Sequence, residues 1–211
     1  MILGQCIYSV CQLNHRKDRF SEASSFFRPV QKAQLMCRIG VNYIMEIERK
    51  FLIDTLPAQA EGAAADHLEQ AYISTSPVIR IRRKNDAYIL TVKSRGLLAR
   101  EEFELAVSRE SYEHLLKKKD GMVIVKDRLN IPLQDGLTCE LDIFSGPYEG
   151  FMMAEVEFPD LITARSFVPP AWFGREVTED SRFQNASLCV NTQEEAGLFM
   201  EQLRSMLSAP R

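Results

Sequence analysis

Residues 45–53 read MEIERKFLI, and charged side chains recur at every second position along the first part of this stretch. In an extended strand successive side chains point to opposite faces, so Glu46, Glu48 and Lys50 share one face. The opposite face is mainly apolar. The pattern therefore predicts a β-strand over about 44–53 with one strongly charged face.

Strands of the same kind recur through the rest of the chain. Alternating patterns and the turn residues between them predict strands at 70–74, 78–84, 87–93, 100–107, 122–131, 137–144 and 151–158. Asp135 and Gly136 predict the tight turn of a hairpin. Residues 58–68 are expected to form a loop or short helix, and residues 169–181 mostly loop.

Three segments carry helix signals. Ser108 is a predicted N-cap for a helix at 109–119, whose three terminal lysines are typical of a solvated helix end. A short helix is expected from Pro159–Asp160 to about Ser166. Thr192 and Glu195 form a capping box that begins a last helix at 193–207, with one apolar face for packing.

The composition fits one domain with a sizeable core, since the chain has 211 residues of which 45% are hydrophobic. Residues 1–44 contain six basic and two acidic residues, whereas the remainder is acidic. An acidic domain is a poor general nucleic-acid binder. We interpret residues 1–44 as a disordered extension or as upstream sequence translated from the wrong start; a targeting or partner-binding extension is the alternative. The functional domain is expected at 45–211.

The cysteine pattern favours a reducing compartment, the cytoplasm. The count of five is odd and no Cys-x-x-Cys pair is present. The three histidines have no second plausible ligand at a spacing typical of zinc sites, so none is expected. No apolar run is long enough for a membrane helix.

The charges that share one face of the strands form a large set. The acidic pairs are Glu46/Glu48, Glu102/Glu104, Glu140/Asp142 and Glu155/Glu157, and the basic positions are Lys50, Arg80, Arg82, Lys93, Lys126 and Arg128. Two carboxylates two residues apart on one strand repel each other unless a cation lies near them.

Two folds are compatible with these charges. One is an antiparallel sandwich whose charged face is solvated and carries cross-strand salt bridges. The other is a closed barrel with the charges inside and the apolar residues outside, covered by the helices at 109–119 and 193–207. Four acidic pairs are unusual for surface strands, so we favour the barrel. The fold class expected is α+β, with an eight-stranded antiparallel barrel and helices packed outside.

Such an interior suits a triphosphate bound with metal ions. Arginine side chains match phosphate oxygens, and carboxylates hold hard cations such as Mg²⁺ or Mn²⁺. Hydrolysis of a triphosphate depends on positioning and charge neutralisation more than on a protein nucleophile. This agrees with a sequence in which no Cys/His or Ser/His arrangement stands out.

The ordered motifs resemble the CYTH family, the triphosphate tunnel metalloenzymes. Glu46-x-Glu48-x-Lys50 is similar to the opening signature of the family, and the later charged strands follow in the family's order. These later matches are Arg80-x-Arg82, Thr91-Val92-Lys93, Glu102-x-Glu104, Lys126-Asp127-Arg128, Glu140-Leu141-Asp142-x-Phe144, Glu155-x-Glu157 and the segment 172–185. The resemblance covers about residues 45–190.

The resemblance implies metal-dependent triphosphate chemistry in a tunnel, with roles for individual residues. It implies phosphate binding by Lys50, Arg80, Arg82, Lys93, Lys126 and Arg128. It implies metal binding by Glu46, Glu48, Glu155 and Glu157, with Glu102, Glu104 and Asp142 as further ligands or orienters of water. Glu46, Glu48 and Lys50 are the expected catalytic residues. One metal ion would bridge phosphate oxygens and a second would activate the attacking water.

Several functions remain open at this stage. Hydrolysis of inorganic triphosphate is favoured, and other triphosphatases and class IV adenylate cyclases belong to the same family. A non-catalytic polyphosphate- or nucleotide-binding module is the alternative from another class, and a structural β domain with only surface salt bridges is the plainest one. The expected partner is inorganic triphosphate or a nucleoside triphosphate, without membrane or general nucleic-acid binding. A homodimer is also open.

Overall fold

The computed structural model describes residues 42–208, with side chains described from residue 45 onward. The interpretation of the N-terminal segment as disordered or spurious therefore lies, up to residue 41, outside the described residues.

Eight antiparallel strands form a closed barrel. They are β1 (Asn42–Leu52), β2 (Ala65–Thr75), β3 (Val78–Lys84), β4 (Ala87–Lys93), β5 (Ala99–Ala106), β6 (Asp120–Pro132), β7 (Thr138–Phe144) and β8 (Met152–Glu157). Their order around the barrel is β1-β5-β4-β3-β2-β6-β7-β8, so β1 closes it by pairing with both β5 and β8. The predicted barrel is confirmed, and the sandwich is excluded.

Most strand boundaries agree with the sequence patterns within two residues, but β2 does not. It begins at Ala65, within the segment 58–68 that was expected to form a loop or short helix. Only Ala58–Ala60 of that segment is helical, as one 3₁₀ turn. Ala65 to Gln70 pair with β6, so tertiary pairing outweighs the weak strand propensity of this stretch.

Within the described residues, four α-helices accompany the barrel: α1 (Arg109–Leu116), α2 (Leu161–Ser166), α3 (Asn185–Val190) and α4 (Gln193–Ser208). The predicted caps are present. Ser108 Oγ accepts from the Ser111 N–H at 3.1 Å. Thr192 and Glu195 accept reciprocally from each other's backbone N–H groups. Helix α3 was not predicted, and α1 ends before the three lysines.

The apolar faces of the strands point outward and are covered by helices. Tyr112 of α1 packs on Ala71 and Ile81 of β2 and β3. Ala164 of α2 belongs to a larger cluster with Phe51 and Val156. The expectation that the helix at 109–119 covers the outer face is therefore confirmed.

The C-terminal helix has a different place from the one expected. At the end of the barrel where β1 finishes, the inward positions become apolar; these residues are Leu52, Tyr72, Ile124, Phe144 and Met153. Phe199 and Leu203 of α4 belong to the same cluster, and Leu188 of α3 joins them. Helices α3 and α4 thus close this end of the barrel, whereas α4 was expected to cover the outer strand faces. Burial of the inward apolar residues explains the difference.

Gly121 allows α3 to approach the start of β6. Its φ of 66° lies in the left-handed region, and a Cβ atom here would lie 2.1 Å from the Cys189 carbonyl oxygen. Only glycine therefore fits between the strand and the helix. No helix within residues 42–208 has the length and apolar character needed to cross a membrane.

Candidate active site

The inward charged side chains surround a cavity of about 230 Å³ inside the barrel. The structure brings together every predicted site residue except Asp142. The residues of the wall include the acids Glu46, Glu48, Glu102, Glu104, Glu140, Glu155 and Glu157, and the bases Lys50, Arg80, Arg82, Lys84, Lys93, Arg100, Lys126 and Arg128.

Lys50 and Lys126 are the most deeply buried of the lining cations, each with about 1% of its surface exposed. Lys50 lies between two carboxylates. Its Nζ forms ion pairs with Glu155 and, at 3.2 Å, with Glu48. Burial alone would lower the pKa of Lys50, but these two carboxylates hold it above its usual value. Lys50 is therefore a fixed positive charge in the wall of the cavity.

Glu46 is held by two cations, one from β4 and one from β5. Lys93 Nζ lies 2.7 and 2.9 Å from its two oxygens, and Arg100 Nε lies 2.6 Å from Oε2. Burial would raise the pKa of Glu46, but Lys93 and Arg100 hold it well below its usual value. Glu102 shares Lys93 at 3.0 Å, and burial together with the charge of Glu46 raises the pKa of Glu102 to about 7.

Arg80 and Arg82 extend from β3 beside the same carboxylate. Arg82 Nη2 lies 3.1 Å from Glu104 Oε1, and Arg80 Nη2 lies 3.0 Å from Thr91 Oγ1. Burial and the neighbouring charge of Arg80 lower the pKa of Arg82 to about 10. Glu104 thus lies between two neighbouring guanidinium groups, and Glu102 lies 3.5 Å from Arg80 Nη2. The closely spaced guanidinium groups favour the binding of an additional anion.

Asp142 lies behind the cavity wall. It is fully buried, and its oxygens accept from Arg128 Nε at 2.6 Å and Arg128 Nη2 at 2.7 Å, with Lys126 as a further partner. Arg128 also donates to Glu155 at 2.6 Å. The geometry makes Asp142 an anchor that orients two lining cations, and it does not bring its carboxylate to the cavity surface.

Glu157 differs from the other lining carboxylates. Its side chain reaches solvent, and it makes no hydrogen bond or ion pair within residues 42–208. Partial desolvation at the rim of the cavity, together with the charges of Glu140, Glu46, Glu48 and Glu155, raises the pKa of Glu157 to about 7. A carboxylate surrounded by like charges favours either a proton or a cation.

Several residues that line the cavity were not predicted from the sequence, among them Arg100 and Gln184. Arg100 lines the cavity and contacts both Glu46 and Glu48. It shares the inward face of β5 with Glu102, so the alternation of side chains along this strand could have predicted that Arg100 points inward. Gln184, just before α3, accepts from Arg100 Nη1 at 3.3 Å, and no pattern in the sequence marks it.

Unpartnered polar atoms concentrate in this cavity. Within the described part of the chain, five buried side-chain nitrogen or oxygen atoms have no hydrogen-bond partner, and four of them belong to lining residues. Three of these four are donors: Arg80 Nε, Arg82 Nε and Gln184 Nε2. A buried donor without a partner costs free energy, so the cavity is suited to a ligand rich in acceptor oxygens.

The carboxylates do not form a ready-made metal cluster. Within residues 42–208, no group of three or more His, Cys, Asp or Glu side chains is placed so that it could hold a metal ion. Most of the lining carboxylates are instead turned toward Lys or Arg partners, as for Glu48, which lies 2.6 Å from Arg100 Nη2. Their oxygen ligands are still the type that Mg²⁺ and Mn²⁺ prefer.

Comparison with known proteins agrees with this geometry. The family model of the CYTH domain matches residues 45–143. An inorganic triphosphatase of Nitrosomonas europaea is 40% identical over 149 residues, which cover 69% of this chain and 97% of that protein. An inorganic triphosphatase of Acetivibrio thermocellus is 38% identical over 155 residues, covering 69% of this chain and 94% of the relative.

A solved structure is similar over the same region. The crystal structure of an inorganic triphosphatase aligns with a TM-score of 0.55 at 36% identity, covering 71% of this chain and 97% of the other. Sequence motifs, barrel and relatives therefore agree. The chain belongs to the CYTH family, the triphosphate tunnel metalloenzymes.

Proposed function

We propose that this protein is a divalent-metal-dependent triphosphatase that hydrolyses inorganic triphosphate inside the barrel. The observation that carries the proposal is the enclosed cavity whose wall joins buried cations, carboxylates and unpartnered donors. Two relatives at 38–40% identity bear the name inorganic triphosphatase, which supports the same activity.

The lining cations account for substrate binding. Arg80 and Arg82 each keep an unpartnered Nε, and Lys50 and Arg128 are buried with their charge retained beside Glu155. Phosphate oxygens accept from several such donors at once. We expect the substrate to replace carboxylates as the partner of these cations.

The carboxylates so released would hold the metal ions. Glu46, Glu48, Glu155 and Glu157 are the proposed ligands, and the other lining acids Glu102 and Glu104 are further ligands or orient water. Glu157 is the clearest fit, since it has no cationic partner among the described residues and four acidic neighbours. Bound Mg²⁺ or Mn²⁺ would supply charge neutralisation to the phosphate oxygens and to the reacting water.

The chain's own residues then act by positioning. None of the described residues that line the cavity is Ser, Thr, Cys or His, so direct attack by water is favoured over a covalent intermediate. Water adds to a terminal phosphorus, and the bond to the bridging oxygen breaks. The products are orthophosphate and diphosphate. Buried cations such as Lys50 and Lys126 stabilise the charge that develops on the leaving group.

Two other functions make different demands on the cavity. A class IV adenylate cyclase needs a surface that recognises a base, and 15 of the 22 described lining residues are charged. A receptor for polyphosphate needs only the cations, whereas here seven carboxylates share the wall with them. The carboxylates therefore favour metal-assisted hydrolysis over binding alone.

Phosphate release from inorganic triphosphate and from ATP, with Mg²⁺ or Mn²⁺ and with chelator, tests the proposal. Metal-dependent release from triphosphate is the expected result. Formation of diphosphate and a cyclic nucleotide from ATP would indicate the cyclase, and tight binding without turnover would indicate a receptor.

The proposed location is the cytoplasm. Cys139 and Cys189 are buried and unpaired in the described part of the chain, which agrees with a reducing compartment. Detection of the protein in an oxidising compartment would contradict this assignment.

A further inference from the structure

A second cavity adjoins the first near the closed end of the barrel. It has a volume of about 490 Å³ and lies among the β2–β3 turn, the segment after β4 and helix α3. Four of the described residues line both cavities: Val78, Lys93, Gln184 and Ala186. Gln184 therefore lies in the wall that the two cavities have in common.

The amide of Gln184 has a fixed orientation at this boundary. Its Oε1 accepts from Arg100 Nη1 at 3.3 Å, and a guanidinium can only donate, so the amide oxygen must face Arg100. Arg100 is itself held by Glu46 and Glu48 at 2.6 Å each. Gln184 Nε2 is turned away from Arg100, buried, and without a partner among the described residues.

The two cavities differ in charge. Carboxylates from four strands line the first cavity, whereas none of the described residues that line the second is acidic. Lys93 and Arg95 supply positive charge to the second cavity. Its hydroxyl groups come from Thr75, Ser76, Ser94 and Ser187. Such a lining suits phosphate oxygens but offers no carboxylate ligand for a hard cation.

We propose that Gln184 sets the chain length of the polyphosphate that this protein accepts, an inference that rests on the proposed triphosphatase function. The triphosphate ends against the Gln184 amide, whose Nε2 donates to a terminal phosphate oxygen. A fourth phosphate has to pass this side chain to reach Lys93 and Arg95 in the second cavity. Gln184 thus excludes longer linear polyphosphates by volume and holds triphosphate by its donor.

The test compares the binding of linear triphosphate and tetraphosphate by calorimetry in the presence of chelator, where no turnover interferes. The wild-type chain is expected to prefer triphosphate. Gln184→Ala joins the two cavities and should shift the affinity ratio toward tetraphosphate by about tenfold. Gln184→Met fills the same space without a donor, so it should weaken triphosphate binding and keep the exclusion of tetraphosphate.

Two further variants complete the test. Adding Arg95→Glu to Gln184→Ala should remove the gained tetraphosphate affinity, because Arg95 lines only the second cavity. Gln193→Ala, at an exposed position of α4, is the matched control and should leave the ratio unchanged. An unchanged ratio in Gln184→Ala, or an equal shift in Gln193→Ala, would overturn the proposal.

The role of Gln184 and the triphosphatase activity are tested by different measurements. Absence of triphosphate hydrolysis by the metal-loaded wild type would contradict the triphosphatase, whereas the binding ratio tests Gln184 independently of turnover. Circular dichroism verifies the fold of each variant. Should Gln184→Ala fail to fold, Gln184→Asn, one methylene shorter, is expected to shift the ratio in the same direction, and no shift would overturn the proposal.

Discussion

Arg100 Nη2 lies 2.6 Å from Glu48 Oε1, and the same guanidinium holds Glu46 through Nε. One arginine from β5 thus orients both carboxylates of the opening motif on β1. Arg100 precedes Glu102 and Glu104 on the inward face of β5. Its guanidinium contacts the proposed metal ligands on one side and donates to Gln184 on the other.

Replacement of Arg100 should impair turnover without unfolding the barrel. We expect Arg100→Ala to lower kcat/KM for triphosphate by about 100-fold, since Glu46 and Glu48 lose the group that orients them. Arg100→Lys should recover only part of the loss, because a lysine cannot hold both carboxylates in a planar fork. Arg204→Ala, exposed on α4, is the control. Equal activity of Arg100→Ala and the control would contradict this role.

Glu46 and Glu48 should be required for turnover but not for folding. We expect Glu48→Gln or Glu46→Gln to lose nearly all activity, because an amide is a poorer ligand for Mg²⁺ or Mn²⁺ than a carboxylate. Far-UV circular dichroism should remain that of the wild type, as the change keeps the side-chain volume. A Glu46→Gln chain that is unfolded, or one that keeps full activity, would contradict the assignment.

Arg49 is the charged exception on the outer face of β1, and it ties this strand to the segment that follows β8. Its Nε lies 2.8 Å from Glu176 Oε1, and its Nη1 donates to the carbonyl oxygens of Ala164 and Phe167. We expect Arg49→Ala to lower the free energy of unfolding by about 2 kcal/mol, since several charge-assisted hydrogen bonds are lost. Urea unfolding measures this change. If Arg49→Ala lost no more stability than the exposed Arg204→Ala, this stabilising role of Arg49 would be contradicted.

The ion pair between Arg49 and Glu176 makes the stability of the fold depend on pH. The hydrogen bond from Arg49 lowers the pKa of Glu176 below its usual 4.5. A carboxyl group whose pKa is lower in the folded state stabilises the fold above its unfolded pKa, and this contribution is lost as the pH falls through the folded value. The stability difference between wild type and Glu176→Gln should therefore shrink below about pH 4.5. A constant difference down to pH 3 would contradict the coupling.

The closed end of the barrel depends on Phe199. Its ring lies 5.4–5.7 Å from those of Tyr148, Phe151 and Phe183, measured between centroids. We expect Phe199→Ala to lower the free energy of unfolding by about 3 kcal/mol, since it leaves a cavity in this cluster. Leu198→Ala, next to it but half exposed, should change it by less than about 1 kcal/mol. Similar losses in both variants would contradict the packing.

Strand periodicity explains why the barrel was predictable. Glu46 and Glu48, or Arg80 and Arg82, could each be read as solvated, but the recurrence of such pairs on strand after strand predicted a charged interior. The same alternation could have placed Arg100 in the cavity. The family motifs supplied the expected roles, and the structure adds the pairing of each carboxylate with its cation.

Other features depend on contacts between distant parts of the chain. Helix α3 has six residues and too little periodicity to be recognised, and it is held by burial of Leu188 and Cys189. The inward apolar residues at the closed end of the barrel, such as Phe144, cannot be told from outward apolar strand residues by the sequence pattern alone. Gln184 is oriented by a hydrogen bond from Arg100, which lies 84 residues earlier in the chain, so no local sequence pattern indicates its position.

We propose metal-dependent hydrolysis of inorganic triphosphate in this cavity. The most direct measurement is orthophosphate release from triphosphate by wild type and Glu48→Gln, each with Mg²⁺, with Mn²⁺ and with chelator. We predict rapid release by the wild type with metal, none with chelator, and almost none by Glu48→Gln under any condition. Release that persists in chelator, or that is equal in Glu48→Gln, would contradict the account.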